Sequence, residues 1–143
     1  MSMIDFTIPT GILNVHATQA AVAEMSSVLL KAEGSPDTAA FRDLTWVYIH
    51  EISTAALAVG GRVHGPPRFR IEVTVPEGAL NPERKSTLIA DIHEIVCRVA
   101  DIDPGGERSL HVWTIVREVP EGDWGVGGVP LPLEEMRALA EDT

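Results

Sequence analysis

Cysteine is almost missing from this chain. Cys97 stands alone among 143 residues, which excludes an internal disulfide and suits a reducing compartment. Basic side chains are scarce as well: 11 Lys and Arg face 21 Asp and Glu, a formal net charge of −10. So acidic a chain is a poor partner for nucleic acid or an anionic membrane, since both are bound through positive charge. The acidity is read as a solubility feature. No segment approaches the roughly 18 apolar residues of a membrane helix, and the first residues lack a basic run followed by an apolar stretch. Neither a membrane span nor a signal peptide is expected, and the expected setting is cytoplasmic. His93 and Cys97 lie one helical turn apart, but no third ligand is evident, so no metal is expected. Cys97 also lacks a Cys-His-Asn context and is read as a peripheral helix residue. Gly125-Val126-Gly127-Gly128 follows a strand without opening a lysine-bearing helix, so no nucleotide loop is expected, and no cofactor.

What the chain does have is itself, twice. Ile4-Asp5-Phe6-Thr7-Ile8-Pro9-Thr10-Gly11-Ile12-Leu13 returns as Ile71-Glu72-Val73-Thr74-Val75-Pro76-Glu77-Gly78-Ala79-Leu80. The displacement of 67 then holds without a gap: Asn14 meets Asn81, Trp46 meets Trp113, Glu51 meets Glu118, and Val59-Gly60-Gly61 meets Val126-Gly127-Gly128. Such a register implies a duplicated and fused unit. With 45% hydrophobic residues the chain suits one packed domain over 1–143, whose halves are too short to bury good cores alone. The repeats span about 2–64 and 69–131, and 130–141 reads as a short terminal helix.

Each half reads strand, helix, strand, hairpin. Ile4, Phe6 and Ile8 alternate with Met3, Asp5 and Thr7, and Ile71, Val73 and Val75 repeat the alternation. Pro9 and Pro76 stop the strands. Asn14 and Asn81 are N-caps, with Pro82 at the first helical position. The second helix carries an apolar stripe of Leu88, Ile92, Ile95 and Val99, flanked by Ile89 and Val96. The first carries Ala21, Met25, Val28 and Ala32, flanked by Val22 and Leu29. The expected strands lie near 3–8, 45–52, 69–75 and 111–119, and the helices near 14–33 and 81–100. A β-α-β unit crosses its helix over one face of two parallel strands. The fold class expected is therefore α+β: two tandem β-α-β repeats forming a four-stranded sheet with two helices on one face. Trp46, Tyr48, Trp113 and Ile115 would lie on the other face, and self-association would cover them.

The strand, the Gly-containing turn, the helix, the second strand and the Trp124-Gly125-Val126-Gly127-Gly128 hairpin resemble the tautomerase superfamily. The likeness covers about residues 2–128 and is most specific over Val112–Gly128. It is to the 4-oxalocrotonate tautomerase branch, in the fused two-repeat form of malonate semialdehyde decarboxylase and cis-3-chloroacrylic acid dehalogenase. The resemblance implies a homotrimer, a small-molecule substrate, and general base catalysis by an amino-terminal proline. Counting back from Gly11, that position is Ser2; its counterpart in the second repeat is the internal Phe69. If Met1 is removed, the Ser2 amine takes the role of the base: an α-amino group has a pKa near 7.7–8.0, and desolvation would lower it. The family's arginines fall at Ile12 and Ala79 and at Trp46 and Trp113, which are apolar or aromatic. Arg68, Arg70, His50 and Arg117 are the candidate replacements for substrate binding, with Trp124 as an aromatic wall. Asp37 is a candidate for orienting water.

Three readings follow. One is a tautomerase-like isomerase acting on a small keto/enol substrate through the Ser2 amine. Another is a catalytically inactive protein of the same fold that binds a small molecule. The last is an interaction protein, as in macrophage migration inhibitory factor. Fold alone does not choose among them.

Overall fold

Every principal element recurs 67 positions later. In the computed structural model, which describes residues 1–141, strand β1 (Ser2–Pro9) is matched by β5 (Phe69–Pro76). Helix α1 (Val15–Glu33) is matched by α3 (Pro82–Val99), and strand β2 (Thr45–Ile52) by β6 (Val112–Val119). The small hairpin strands β3 (Ala58–Val59) and β4 (Arg62–Val63) are matched by β7 (Gly125–Val126) and β8 (Val129–Pro130). A short helix, α2 (Ala39–Asp43), precedes β2, and α4 (Leu133–Glu141) closes the described chain. Positions 142 and 143 of the expected 1–143 domain lie outside the described residues.

The main sheet runs β2-β1-β5-β6. Each outer strand is parallel to the inner strand of its own repeat, and the inner strands meet antiparallel. The fold class is thus α+β, as expected. At the centre Asp5 stands opposite Glu72, with Met3 opposite Thr74 and Thr7 opposite Arg70. That arrangement is a local two-fold relating the repeats.

Local chemistry explains the element ends. The Asn14 and Asn81 side chains accept from Ala17 N and Arg84 N, at 2.7 and 2.8 Å, and so satisfy free helical N–H groups. Helix α1 ends on Gly34 at φ 71, a left-handed position that suits a residue without Cβ. The hairpin turns need positive φ at two successive residues, which Gly60-Gly61 and Gly127-Gly128 supply.

The core lies between the sheet and the two long helices. Ile4, Phe6, Ile8, Ile71, Val73 and Val75 point inward from the inner strands, and Met25, Leu29, Leu88 and Ile92 meet them from the helices. Burying a side chain of this size stabilises by about 1.5–3 kcal/mol. The stripes differ in detail from the sequence reading. Leu29, not Val28, is fully buried on α1; on α3 Ile89 is exposed and Val99 only half-buried. Cys97 also corrects the expectation of a peripheral residue: it is 1% exposed, inside the core. The helix turns it inward beside Val96, and burial together with Asp103 pushes its thiol pKa up. A smaller cluster of Leu30, Phe41 and Ala140, with Ala40 and Leu44, ties α1, α2 and α4 together near the start of β1.

Candidate active site

Ser2 is the first residue of β1 and points toward the helices with Ile4, Phe6 and Ile8. It is 2% exposed, and its hydroxyl donates to Glu33 Oε1 at the last turn of α1. Its backbone N–H donates to Leu44 O at 3.1 Å. Around this pair lies a narrow cleft of about 10 Å³, lined by Met1, Ser2, Glu33, Phe41, Leu133 and Arg137 among others. With Met1 in place the Ser2 nitrogen is a peptide amide, and the terminal amine is one residue further out.

The electrostatics of the cleft are set by burial. Glu33 is 8% exposed, and loss of water pushes its carboxyl pKa up; the Ser2 hydroxyl, the terminal amine and Arg137 pull less strongly the other way. The Met1 amine is shifted down, first by burial and further by the Arg137 charge, against the opposing pull of Glu33. A depressed amine and a raised carboxyl side by side favour neutral forms of both, the states in which an amine accepts a proton and a carboxyl donates one.

The candidate cations lie elsewhere. His50, Arg70 and Arg117 occupy the sheet face opposite the helices, where His50 Nε2 is 2.7 Å from Asp5 Oδ1 and Arg117 Nε is 2.7 Å from Glu72 Oε1. Arg70 shares an open depression there with Asp5, His50 and Glu72. These pairs are counterparts across the local two-fold. Arg68 donates to the Pro66 and Pro67 carbonyls and contacts His111 Nδ1 at 2.9 Å. Trp124 adjoins the β7–β8 hairpin, its carbonyl accepting from Leu131 N at 2.9 Å. Within one chain, then, His50 and Arg70 are brought together, Arg117 lies at the counterpart position near the other edge of the same face, and Ser2 is on the other face of the sheet. Trp46 and Trp113, where the family places arginine, are 58% and 67% exposed on that open face. Their indole N–H groups donate to Asp43 O and Leu110 O, at 2.9 and 3.0 Å. Asp37 makes a two-pronged pair with Arg42, which holds its carboxyl below the usual range, and it also accepts from Ser27. Among the described residues no group of three or more His, Cys, Asp or Glu is arranged to hold a metal ion.

Sequence reasoning passed over Glu33 and Arg137. A signal for Glu33 was present: it follows Ala21, Met25 and Leu29 at steps of four along the inward stripe, and its counterpart is Ala100. A carboxylate on a buried stripe is unusual. Arg137 had no such mark, because the docking of α4 cannot be read from its periodicity.

Residues 70–133 match the sequence model of the family described as tautomerase enzyme. In solved structures the same fold recurs over nearly the whole chain. Native fused 4-OT aligns at 20% identity and TM-score 0.75, covering 90% of this chain and 94% of that one. A fused 4-OT solved as a symmetric trimer aligns at 21% identity and TM-score 0.74, covering 94% and 98%. A member of the cis-3-chloroacrylic acid dehalogenase family aligns at 18% identity and TM-score 0.74, covering 99% of each. The chain thus carries a tautomerase-family segment over residues 70–133 and has the fold of the fused two-repeat structures. No curated protein matches it by sequence. The tautomerase-family match falls in the second repeat, whereas the candidate base position, Ser2, starts the first. No helix among the described residues is long and apolar enough to cross a membrane.

Proposed function

We propose that this chain is a tautomerase-superfamily isomerase for a small keto/enol substrate, with the Ser2 amine, freed by removal of Met1, as general base. The observation that carries the reading is the buried cleft at the start of β1, where loss of water and a nearby arginine already depress a terminal amine. An amine freed at Ser2 would begin one residue deeper in the same surroundings. It needs no proline to be basic: a primary amine with a lowered pKa is substantially neutral near pH 7. In the keto-to-enol direction it would take a proton from carbon while the electrons move onto the carbonyl oxygen.

The reading includes a homotrimer in a cytoplasmic setting. Solved fused 4-OT chains of the same fold are trimers. Trp46, Tyr48 and Trp113 expose apolar surface on the open sheet face, and covering it would be favourable by about 25 cal/mol per Å². A trimer could also place His50, Arg70, Arg117 and Trp124 of a neighbouring chain within reach of Ser2.

The second reading is a non-catalytic binding protein of the same fold. It is favoured by the Ser2 N–H, which is engaged by Leu44 O when Met1 is present, and by the narrowness of the cleft. Intact mass combined with an enol-to-keto absorbance assay tests the choice. The isomerase reading expects turnover by a chain beginning at Ser2; its absence in a folded chain favours the binding protein.

A further inference from the structure

The positions where the family resemblance places substrate-binding arginines hold Ile12, Ala79, Trp46 and Trp113; on the sheet face His50 and Arg117 are paired with Asp5 and Glu72, and Arg70 lies on that same face, away from Ser2. Arg137 differs. It is exposed on α4, lines the cleft beside Met1 and Glu33, and makes no ion pair within 4 Å among the described residues. Helix α4 is held in place by its buried Met136 and Ala140, so the Arg137 stem projects from a fixed surface. Glu33 is equally well placed. Its oxygen contacts Ser2 Oγ, and a serine's own amine lies about one hydrogen-bond length from its hydroxyl. A base at Ser2 and the Glu33 carboxyl would therefore stand on either side of one small space, with Arg137 at its mouth. Nothing in the second repeat duplicates this, since the counterparts of Ser2 and Glu33 are Phe69 and Ala100.

We infer that Glu33 is the acid partner of the Ser2 amine, and that Arg137 binds the carboxylate of a small 2-oxo monoacid. This rests on the isomerase reading above. In the keto-to-enol direction the neutral amine takes the proton from the carbon next to the carbonyl. The C–H electrons form the C=C bond, and the carbonyl π electrons move to oxygen, which takes the Glu33 proton. The site is left with an ammonium at Ser2 and a carboxylate at Glu33, and direct transfer between them restores the neutral pair. No oxidant, metal or other reactant is consumed. Arg137 would hold the substrate carboxylate through paired N–H donors. Removal of Met1 would both create the amine and vacate the room the substrate needs.

The test uses the full chain beginning at Ser2, with phenylenolpyruvate as probe, and the variants Glu33→Gln and Arg137→Gln. Glutamine at 33 keeps an oxygen for the Ser2 hydroxyl and carries no transferable proton. It should lower kcat at least tenfold with little change in KM, because a positioned acid contributes about 10²–10⁴-fold. Arg137→Gln should raise KM with a smaller change in kcat. A second readout is independent of turnover: the pH midpoint for reaction of the terminal amine with an arylating reagent. It should rise in Arg137→Gln, which loses a neighbouring cation, and stay near the parent value in Glu33→Gln, which exchanges a neutral acid for a neutral amide. The charged groups facing Glu33 in this cleft are the amine and Arg137. If the parent chain turns over while both variants keep its kcat, KM and midpoint, the inference fails and the isomerase reading stands. An inactive, folded parent overturns both.

Discussion

Ser2 and Glu33, 31 residues apart, share a buried hydrogen bond in which the Ser2 hydroxyl donates to a Glu33 carboxyl oxygen. In the other repeat the corresponding pair is Phe69 and Ala100, so large and small have exchanged places and a polar pair replaces an apolar one. The balance between burial and hydrogen bonding at that pair leads to the first prediction.

Burial raises the Glu33 pKa above its ordinary value of 4.5 despite the Ser2 hydrogen bond. A group raised on folding stabilises most below its unfolded pKa, and that contribution is lost as pH rises through the folded value. At neutral pH the fold must therefore either bury the Glu33 charge or hold a proton that the unfolded chain releases, and either costs stability. Glu33→Gln should melt above the parent at pH 7, with the difference gone by about pH 4. Thermal unfolding at the two pH values checks this, and a lower melting temperature for the variant at pH 7 would contradict it.

Much of the architecture was legible because duplication repeats every cue. Alternation in β1 and β5, matching Asn caps and matching Gly pairs each occur twice in one register. Side-chain depth was less legible. Val28 and Leu29 are neighbours on α1, and only the packing of α1 against both α3 and the sheet decides that Leu29 is the buried one. Cys97 was misjudged for the same reason, since a stripe drawn along one helix does not know how wide its contact is. The Glu33–Arg137 cleft depends on α4 crossing back to the chain start, a long-range contact with no local signature.

The helix stripe supplies the second prediction. Leu29→Ala should cost about 2–5 kcal/mol of unfolding free energy, because it leaves a cavity between helix and sheet. Val28→Ala, at a half-buried position, should cost clearly less. Denaturant midpoints rank the two directly, and equal costs would mean that the stripe is wrongly assigned.

Cys97 should be inert in the native protein. Its thiol is buried and its pKa is raised by burial and by the charge of Asp103, while the thiolate is the reactive form. A disulfide reagent at pH 8 should label it slowly in buffer and fast in denaturant. Rapid labelling of the folded chain would show that this part of α3 opens readily.

Assembly offers a further check. Trp46→Glu together with Trp113→Glu places carboxylates on the open sheet face, near Asp5 and Glu72. If that face is covered in a homotrimer, light scattering should give three times the chain mass for the parent and a smaller species for the double variant. A parent that stays monomeric at micromolar concentration would refute the trimer.

The central claim is that the freed Ser2 amine is the base, and the most direct measurement is a rate comparison between two forms confirmed by intact mass. One begins at Ser2; the other is the same chain with its Ser2 amine acetylated. Both are followed by absorbance during enol-to-keto conversion of phenylenolpyruvate across pH 5 to 9. The account predicts turnover by the free-amine form that rises as the amine loses its proton, and none by the acetylated form. Equal rates in the two forms, or no turnover by a folded chain beginning at Ser2, would contradict it.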